Sequence, residues 1–315
     1  FMTSDNVWDL RVRPEKFLVL GGGPIGTELV QAFQRLGSNV TQVERSTRIL
    51  GREDEEVSKI VHEKLEKEGV NILLEHNATR FFKKDGKNFL ECDHKGEKVH
   101  IEFDKVLLAI GRAANTSGFG LEELGVELTE RKTVKVDDYL RTNYKNIYAC
   151  GDVAGPYQFT HTAAHQAWFC AVNTMLKPFY GFKADYRVIP WCTYTDPEVA
   201  WAGLTENDAK AQGIKVGKGV FPWAASGRSL SIGRSEGLTK LLFDESTHRV
   251  IGAGIVGPHA GDLIAEAALA IEMGADATDL GQTIHPHPTL SETVNFAAEM
   301  YEGTITDLIA PKKKH

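Results

Sequence analysis

An α/β protein with a second, antiparallel α+β domain is the fold class this sequence predicts. Three observations carry the prediction. A glycine-rich loop, Gly21-Gly22-Gly23-Pro24-Ile25-Gly26, lies between a short apolar run and an amphipathic segment. A second apolar run follows and ends at Glu44. From about residue 186 onward, several strand patterns come first and helix patterns after, as in an antiparallel sheet with helices on one side.

Each element has a local reason. Residues 16–20, Lys-Phe-Leu-Val-Leu, form a continuous apolar run suited to a parallel strand buried on both faces. From Ile25 to Leu36 the apolar residues recur at helical spacing, and Gly37 supplies a C-cap. Residues 39–43 are the next strand, which completes a βαβ unit. A charged amphipathic helix is expected over about 53–68, stopped by Gly69. Residues 87–103 read as a hairpin turning at Asp93-His94-Lys95-Gly96, and 106–110 as a buried strand ending at Gly111-Arg112.

Past that point the spacing predicts strands at 133–136 and 146–150, then a helix over about 162–176. Residues 113–185 are too few to bury an ample core alone, so they read as half of a domain. Strands are expected at 188–194, 199–202, 215–223, 238–243 and 249–256, and helices at about 260–273 and 290–301. The expected domains are therefore 1–112, 113–185 and 186–315.

Composition narrows the function classes. The 315 residues fit two or three domains, and 42% hydrophobic with 25% charged residues is ordinary for a globular protein. A net charge of -7 and a pI near 5.9 argue against nucleic acid as partner. The basic run Lys312-Lys313-Lys314 reads as a solvated tail. No apolar stretch approaches the ~20 residues of a membrane span. Cys92, Cys150, Cys170 and Cys192 are scattered, with no CxxC pair. With no secretory signal pattern in view, they point to a reducing cytoplasm.

The glycine loop has the chemistry of a dinucleotide site. Gly21 permits the tight turn, Gly23 admits the pyrophosphate, and Gly26 lets helix pack on strand. Pro24 and Ile25 open the helix, whose N-terminus offers free N–H groups and a positive dipole end. Glu44 stands about 20 residues on, where a ribose-binding carboxylate belongs. It favours NAD by repelling a 2′-phosphate, whereas nearby Arg45 and Arg48 pull the other way. Glu28 in the first helical turn is open to two readings: a carboxylate helped by the helix dipole, or a functional group.

Two further places carry chemistry-bearing residues. Gly151-Asp152 ends a strand pattern, where an aspartate can cap a turn or meet a ligand. His285 and His287 flank Pro286, and Glu292 follows. Thr289 and Glu292 fit a capping box for the last helix. A metal reading is poor, because two histidines around one proline chelate badly and no third ligand presents itself. The functional reading is His287 as general acid/base, oriented by Glu292, since imidazole titrates near neutral pH.

Taken together, Gly21 to Gly26, Ala109-Ile110-Gly111-Arg112, Ala149-Cys150-Gly151-Asp152-Val153-Ala154 and His287-Pro288-Thr289-Leu290-Ser291-Glu292 resemble the flavin-dependent pyridine-nucleotide disulfide oxidoreductases. The resemblance covers essentially the whole chain. The final motif, and Phe221 to Arg228 followed by Glu236 to Lys240, are most similar to the dihydrolipoamide dehydrogenase branch. It implies a Rossmann-type NAD domain, part of an FAD domain and a C-terminal dimerisation domain. It implies that Gly111 belongs to the cofactor-binding set, that Asp152 binds the ribityl chain of FAD, and that Phe159, Thr160 and His161 approach the flavin ring. Glu28 would sit by the nicotinamide–flavin contact. His287 with Glu292 would be the acid/base pair, reaching the disulfide of the partner subunit of a homodimer, with a lipoamide-like disulfide as substrate.

The family also carries an FAD glycine loop and a CxxxxC disulfide; the loop at Gly21 to Gly26 is read as the NAD one, and no CxxxxC spacing occurs in these residues. The expectation is therefore a C-terminal portion of such an enzyme, with weak or no FAD and no disulfide reductase activity by itself. Two other readings stay open: a non-catalytic NAD-binding dimer, and a flavin-free NAD dehydrogenase using His287.

Overall fold

The structure, a computed structural model, describes residues 1–176 and 179–309. The Lys312 to Lys314 run lies outside them. The chain divides into two compact units: Phe1–Gly111 with the chain from Pro190 onward, and Arg112–Ile189.

The first unit begins with β1 (Lys16–Leu20), α1 (Pro24–Arg35), β2 (Asn39–Val43), α2 (Glu55–Lys67) and β3 (Asn71–Leu73). Three antiparallel strands follow, β4 (Asn77–Lys84), β5 (Lys87–His94) and β6 (Glu97–Phe103), before β7 (Lys105–Leu108) returns to the parallel sheet. That sheet has the order β3-β2-β1-β7, with β1 paired in parallel to both β2 and β7. Phe17, Val19, Val40 and Leu107 are buried, each such side chain contributing about 1.5–3 kcal/mol. The pattern of 77–84 hides β4, because nearly all its residues are exposed and no alternating apolar face marks it.

The second unit holds α3 (Leu121–Leu124) and α4 (Thr160–Leu176). The strands expected at 133–136 and 146–150 are not formed. Each segment makes one isolated bridge, Leu128 with Val134 and Arg141 with Tyr148. Val134 N–H turns instead to Val153 O at 2.7 Å. A strand requires a continuous partner, and here the neighbours change after a single pair. Buried Asn173 of α4 ties the unit together by donating to Tyr139 O and Phe182 O and accepting from Phe182 N–H.

The first unit resumes with β8 (Pro190–Thr193), β9 (Glu198–Gly203), α5 (Glu206–Ala211), β10 (Val216–Pro222), α6 (Gly227–Ser231), β11 (Leu238–Asp244), β12 (Val250–Gly257), α7 (Ala260–Met273), α8 (Ala277–Gln282) and α9 (Glu292–Glu302). The strands form an antiparallel sheet in the order β10-β11-β12-β9-β8. One face packs on α7, α8 and α9 through Phe221, Trp223, Leu241, Ile264, Ala267, Val294 and Ala297. The other face joins the core of the parallel sheet through Trp201, Leu238, Leu242 and Val256.

Strand β11 is therefore buried on both faces, and it carries a lysine. The Lys240 side chain is 0% exposed, and its ammonium pairs with Asp54 at 2.6 Å and with Glu56 and Glu206. Asp54, Glu56 and Glu206 are also the one acidic group, among the described residues, close enough to share a cation. The ammonium of the chain itself fills that place. Burial pulls the Lys240 ammonium down, but the hydrogen bonds it donates to Asp54, Glu206 and Glu56 outweigh this and hold the group above its ordinary value. Glu206 moves the opposite way: burial raises it, and Lys240 and Lys218 together bring it below the carboxylate range.

Both shifts favour the charged pair. The stabilisation is present above the ordinary Glu range and below the ordinary Lys range, and it fades outside that window. Lys240→Met leaves the buried Asp54 carboxylate, with half-exposed Glu56 and Glu206 beside it, without that cation. It should lower unfolding stability by about 3–5 kcal/mol at pH 8, and by less at pH 5, where those carboxylates can take up protons. Chemical denaturation at the two pH values checks this.

Candidate functional site

The glycine loop closes the carboxyl end of β1. Gly23 is the N-cap of α1, and Pro24 occupies its first turn. A Cβ on Gly26 would meet Gly21 O at 2.4 Å, so only glycine allows α1 to start this close to the loop. A Cβ on Gly22 would meet Glu44 Oε2 at 2.9 Å. That closeness is used: Gly22 N–H donates to Glu44 Oε2 at 2.6 Å, and Ser46 N–H donates to Oε1 at 2.7 Å. The Glu44 carboxylate is thereby held at the mouth of the loop, and each oxygen retains a lone pair for a hydroxyl. The Cβ position of Gly23, in contrast, faces open space. The room at Gly23, the unpaired N–H groups of the first turn and the fixed carboxylate fit a dinucleotide.

Glu28 accepts from the N–H of Tyr194 at 2.8 Å. Burial raises its carboxyl above the ordinary range, and the Tyr194 N–H partly offsets this. Glu53 lies on a turn hung from the loop, since Leu50 N–H donates to Gly22 O and Glu53 N–H to Leu50 O. Its Oε1 accepts from Trp191 Nε1–H at 2.8 Å, while buried Oε2 has no partner among the described residues. Burial pushes Glu53 up to about 7, against the pull of Trp191.

In the second unit, Asp152 lies in a short turn after Gly151 and pairs with Arg112 at 3.3 Å. Gly111 has a φ of +138° and open space at its Cβ position. Thr160 starts α4, and Phe159 stacks on His161 at 5.2 Å. Sequence reasoning missed Gln166, one of the residues that shape this place. Fully buried, it accepts from Gly151 N–H at 2.5 Å and donates to Gly155 O and Tyr186 Oη at 2.8 Å. Only the helical phase of α4, which turns position 166 inward, could have signalled it. Thr162 Oγ1 is buried nearby in sequence without a partner among the described residues. The half-exposed Asp152 carboxylate and the orphaned Thr162 hydroxyl fit a polar ligand portion such as the ribityl chain of a flavin.

At the other end of the chain, His287 Nδ1 donates to Glu292 Oε1 at 2.8 Å. Thr289 N–H donates to Glu292 Oε2 at 2.7 Å. Glu292 thus makes the backward half of a capping box. The forward half is absent, because Thr289 Oγ1 donates to Pro286 O and the N-cap is Ser291, whose side chain makes no cap bond. The His287 side chain is 74% exposed, against 12% for Glu292. Its Nε2 has no partner among the described residues and, on so exposed a side chain, is open to solvent. A buried relay sets the start of α9: Trp223 Nε1–H donates to Thr239 Oγ1, Thr239 to Thr293 Oγ1, and Thr293 to Leu290 O.

His285 goes elsewhere. Its ring lies between Thr283 O at 2.8 Å and Glu266 Oε1 at 2.7 Å, so the two histidines share no ligand point.

Residues 1–167 match the family model for pyridine nucleotide-disulphide oxidoreductases, and residues 189–298 match the dimerisation domain of the same family. The chain belongs to the pyridine nucleotide-disulphide oxidoreductase family. It is 42% identical over 312 residues to the dihydrolipoyl dehydrogenase of Vibrio parahaemolyticus, covering 99% of this chain and 64% of that protein. The dihydrolipoyl dehydrogenase of Thermus scotoductus is 44% identical over 308 residues, covering 95% and 66%.

Among solved structures, LpdA from Mycobacterium tuberculosis superposes with a TM-score of 0.85 at 28% identity, over 95% of this chain and 64% of the other. The flavoprotein disulfide reductase RclA of Escherichia coli, as its Cu(II) complex, gives 0.86 at 27%, over 95% and 67%. The chain thus spans 64% of the length of the Vibrio relative. The oxidoreductases of this family work with flavin and nicotinamide cofactors, and no helix among the described residues is long and apolar enough to cross a membrane.

Glu53 is not a position the family motifs mark, and it yields a direct test. Its folded value lies above its ordinary 4.5, so the folded state holds the extra proton and stability falls as pH rises from 4.5 to about 7. Glu53→Gln keeps an acceptor for Trp191 and removes the charge. It should stabilise the protein at pH 8 by about 1–3 kcal/mol and by nothing measurable near pH 4.5, as read by urea unfolding at both pH values.

Proposed function

We propose that this chain performs the nicotinamide-binding and acid/base parts of a dihydrolipoyl dehydrogenase-type reaction, in which a dithiol and NAD+ give a disulfide, NADH and a proton. The observation that carries the reading is the His287–Glu292 pair, with one imidazole nitrogen bound and the other open to solvent. Glu292 keeps the Nδ1 proton in place, so Nε2 is the atom that accepts a thiol proton. The carboxylate then offsets the positive charge that forms on the ring.

Gly21, Gly23, Pro24, Ile25, Gly26 and Glu44 would hold NAD(H), which supplies the hydride acceptor. Glu28 would face the nicotinamide side. Gly111, Asp152, Phe159, Thr160 and His161 would hold the ribityl and ring side of FAD, which supplies the two-electron relay between thiols and nicotinamide. A second G-x-G-x-x-G spacing, Gly252 to Gly257, lies within the antiparallel strand β12 and not in a strand-to-helix loop, and no CxxxxC spacing occurs in these residues. The proposal is therefore that they alone bind FAD weakly or not at all and do not reduce disulfides.

We assign residues 1–112 to NAD binding, 113–185 to the second half of a flavin domain and 186–315 to dimerisation. The match of 189–298 to the dimerisation model supports a homodimer, in which His287 would reach the redox disulfide of the partner subunit and a lipoamide-like disulfide would be the substrate. The four free cysteines suit a cytoplasmic setting.

Calorimetry with NADH tests the nucleotide half. Binding should be saturable in this chain, and Glu44→Ala should weaken it about 10- to 100-fold. An absence of binding to the unaltered chain would overturn the assignment. In an enzyme that joins these residues to a segment carrying the FAD glycine loop and the CxxxxC disulfide, His287→Gln should slow dihydrolipoamide oxidation on the order of 10²- to 10⁴-fold. NADH oxidation by a one-electron acceptor that bypasses the thiols should be unchanged. Equal loss in both assays would sink the acid/base role.

A further inference from the structure

We propose that His285, through its pair with Glu266, is the positioning residue that holds His287 in its working orientation. The inference rests on the reading of His287 as the acid/base. The two histidines stand two residues apart and have opposite environments. The His285 side chain is 8% exposed and that of His287 is 74% exposed. The His287 ring is held by a single hydrogen bond, to Glu292. A ring that exposed has little packing to fix it, so its direction must come from the backbone that carries it.

That backbone is anchored on both sides. After His287, Thr289 binds Glu292 through its N–H and Pro286 O through its hydroxyl. Before it, the buried anchor is His285. Both His285 partners, the Thr283 carbonyl and the Glu266 carboxylate, are acceptors. The ring therefore bridges two fixed acceptors. One bond ties the loop to the end of α8, and the other ties it to the middle of α7. No other side chain of the 284–288 segment makes a hydrogen bond to α7 among the described residues.

Glu266 shares its helix face with Leu269 and Met273, which are exposed, as is Ile284 beside His285. The pair thus lies within an apolar strip of the segment matching the dimerisation model, and subunit association has to be checked in any variant.

Three variants test the proposal: His285→Leu removes both bonds, His285→Gln keeps a donor, and Glu266→Gln keeps the shape of the partner without its charge. Long-range proton–nitrogen NMR of the histidine rings is the readout that needs no turnover. In the unaltered chain the His287 ring should be a single tautomer protonated at Nδ1. In His285→Leu the His287 signals should become a mixture of tautomers, while sedimentation mass and NADH affinity stay the same. In an enzyme that joins these residues to a segment carrying the FAD glycine loop and the CxxxxC disulfide, kcat for dihydrolipoamide should fall on the order of 10- to 100-fold, as for a displacement of about 1 Å, with KM for NAD+ unchanged. His285→Gln should recover most of the loss.

An unchanged His287 spectrum with unchanged kcat in His285→Leu overturns the proposal, as does loss of dimer or of NADH affinity in step with kcat. Should His285→Leu fail to fold, Glu266→Gln gives the same decision through the His287 spectrum. Should His287→Gln turn over normally, the acid/base reading fails, and the spectrum still decides whether His285 sets the His287 ring.

Discussion

Strand β11 is the constraint on which the first unit depends, because both of its faces are inside. Successive side chains of a strand point to opposite sides. Leu238, Lys240 and Leu242 join the core shared with the parallel sheet, while Thr239, Leu241 and Phe243 face the helices or their relay. A lysine in that position is tolerable only with its charge answered. Asp54 and Glu56 at the start of α2, and Glu206 in α5, answer it. A buried ion pair of this kind adds little net stability over an apolar replacement, but breaking it is costly. Its consequence is geometric: the N-terminus of α2 can pack on β11 in one register.

The neighbouring residue does the same for the other end of the site. Thr239 Oγ1 receives Trp223 Nε1–H and donates to Thr293, which in turn holds Leu290 O. That relay places the first turn of α9, where Glu292 stands. One strand therefore locates the turn carrying Glu53 and the helix carrying Glu292, by polar contacts in opposite directions. The glycine loop is a second fixed point of the same kind. Gly22 can donate to Glu44 at 2.6 Å because it has no side chain to push the carboxylate away.

Much of the fold was legible because it rests on local periodicity. The βαβ unit, the hairpin at 87–103 and helix α7 follow from spacing alone. The strands expected at 133–136 and 146–150 failed for the opposite reason: their composition suits strands, yet a strand exists only with a partner, and these segments find one bridge each. The candidate residues at the glycine loop and at His287 were legible because their chemistry is concentrated in short motifs. Gln166, Trp191 and Lys240 were not, since each acts on residues far away in sequence: Gln166 on Gly151, Trp191 on Glu53, Lys240 on Asp54.

The sequence by itself determined the family, most strands and helices of the first unit, the glycine loop with Glu44 following it and the pairing of His287 with Glu292 across five positions. Such features need only neighbours along the chain, or motifs whose spacing is tight. Tertiary structure alone decided which face each buried polar group meets. It sent His285 inward to Glu266 and left His287 outward, although the two differ only by the direction of the chain around Pro286. It also turned three carboxylates into a cage for a lysine rather than a metal. Those choices depend on burial, which makes an unanswered polar group costly, and burial exists only once distant segments have packed.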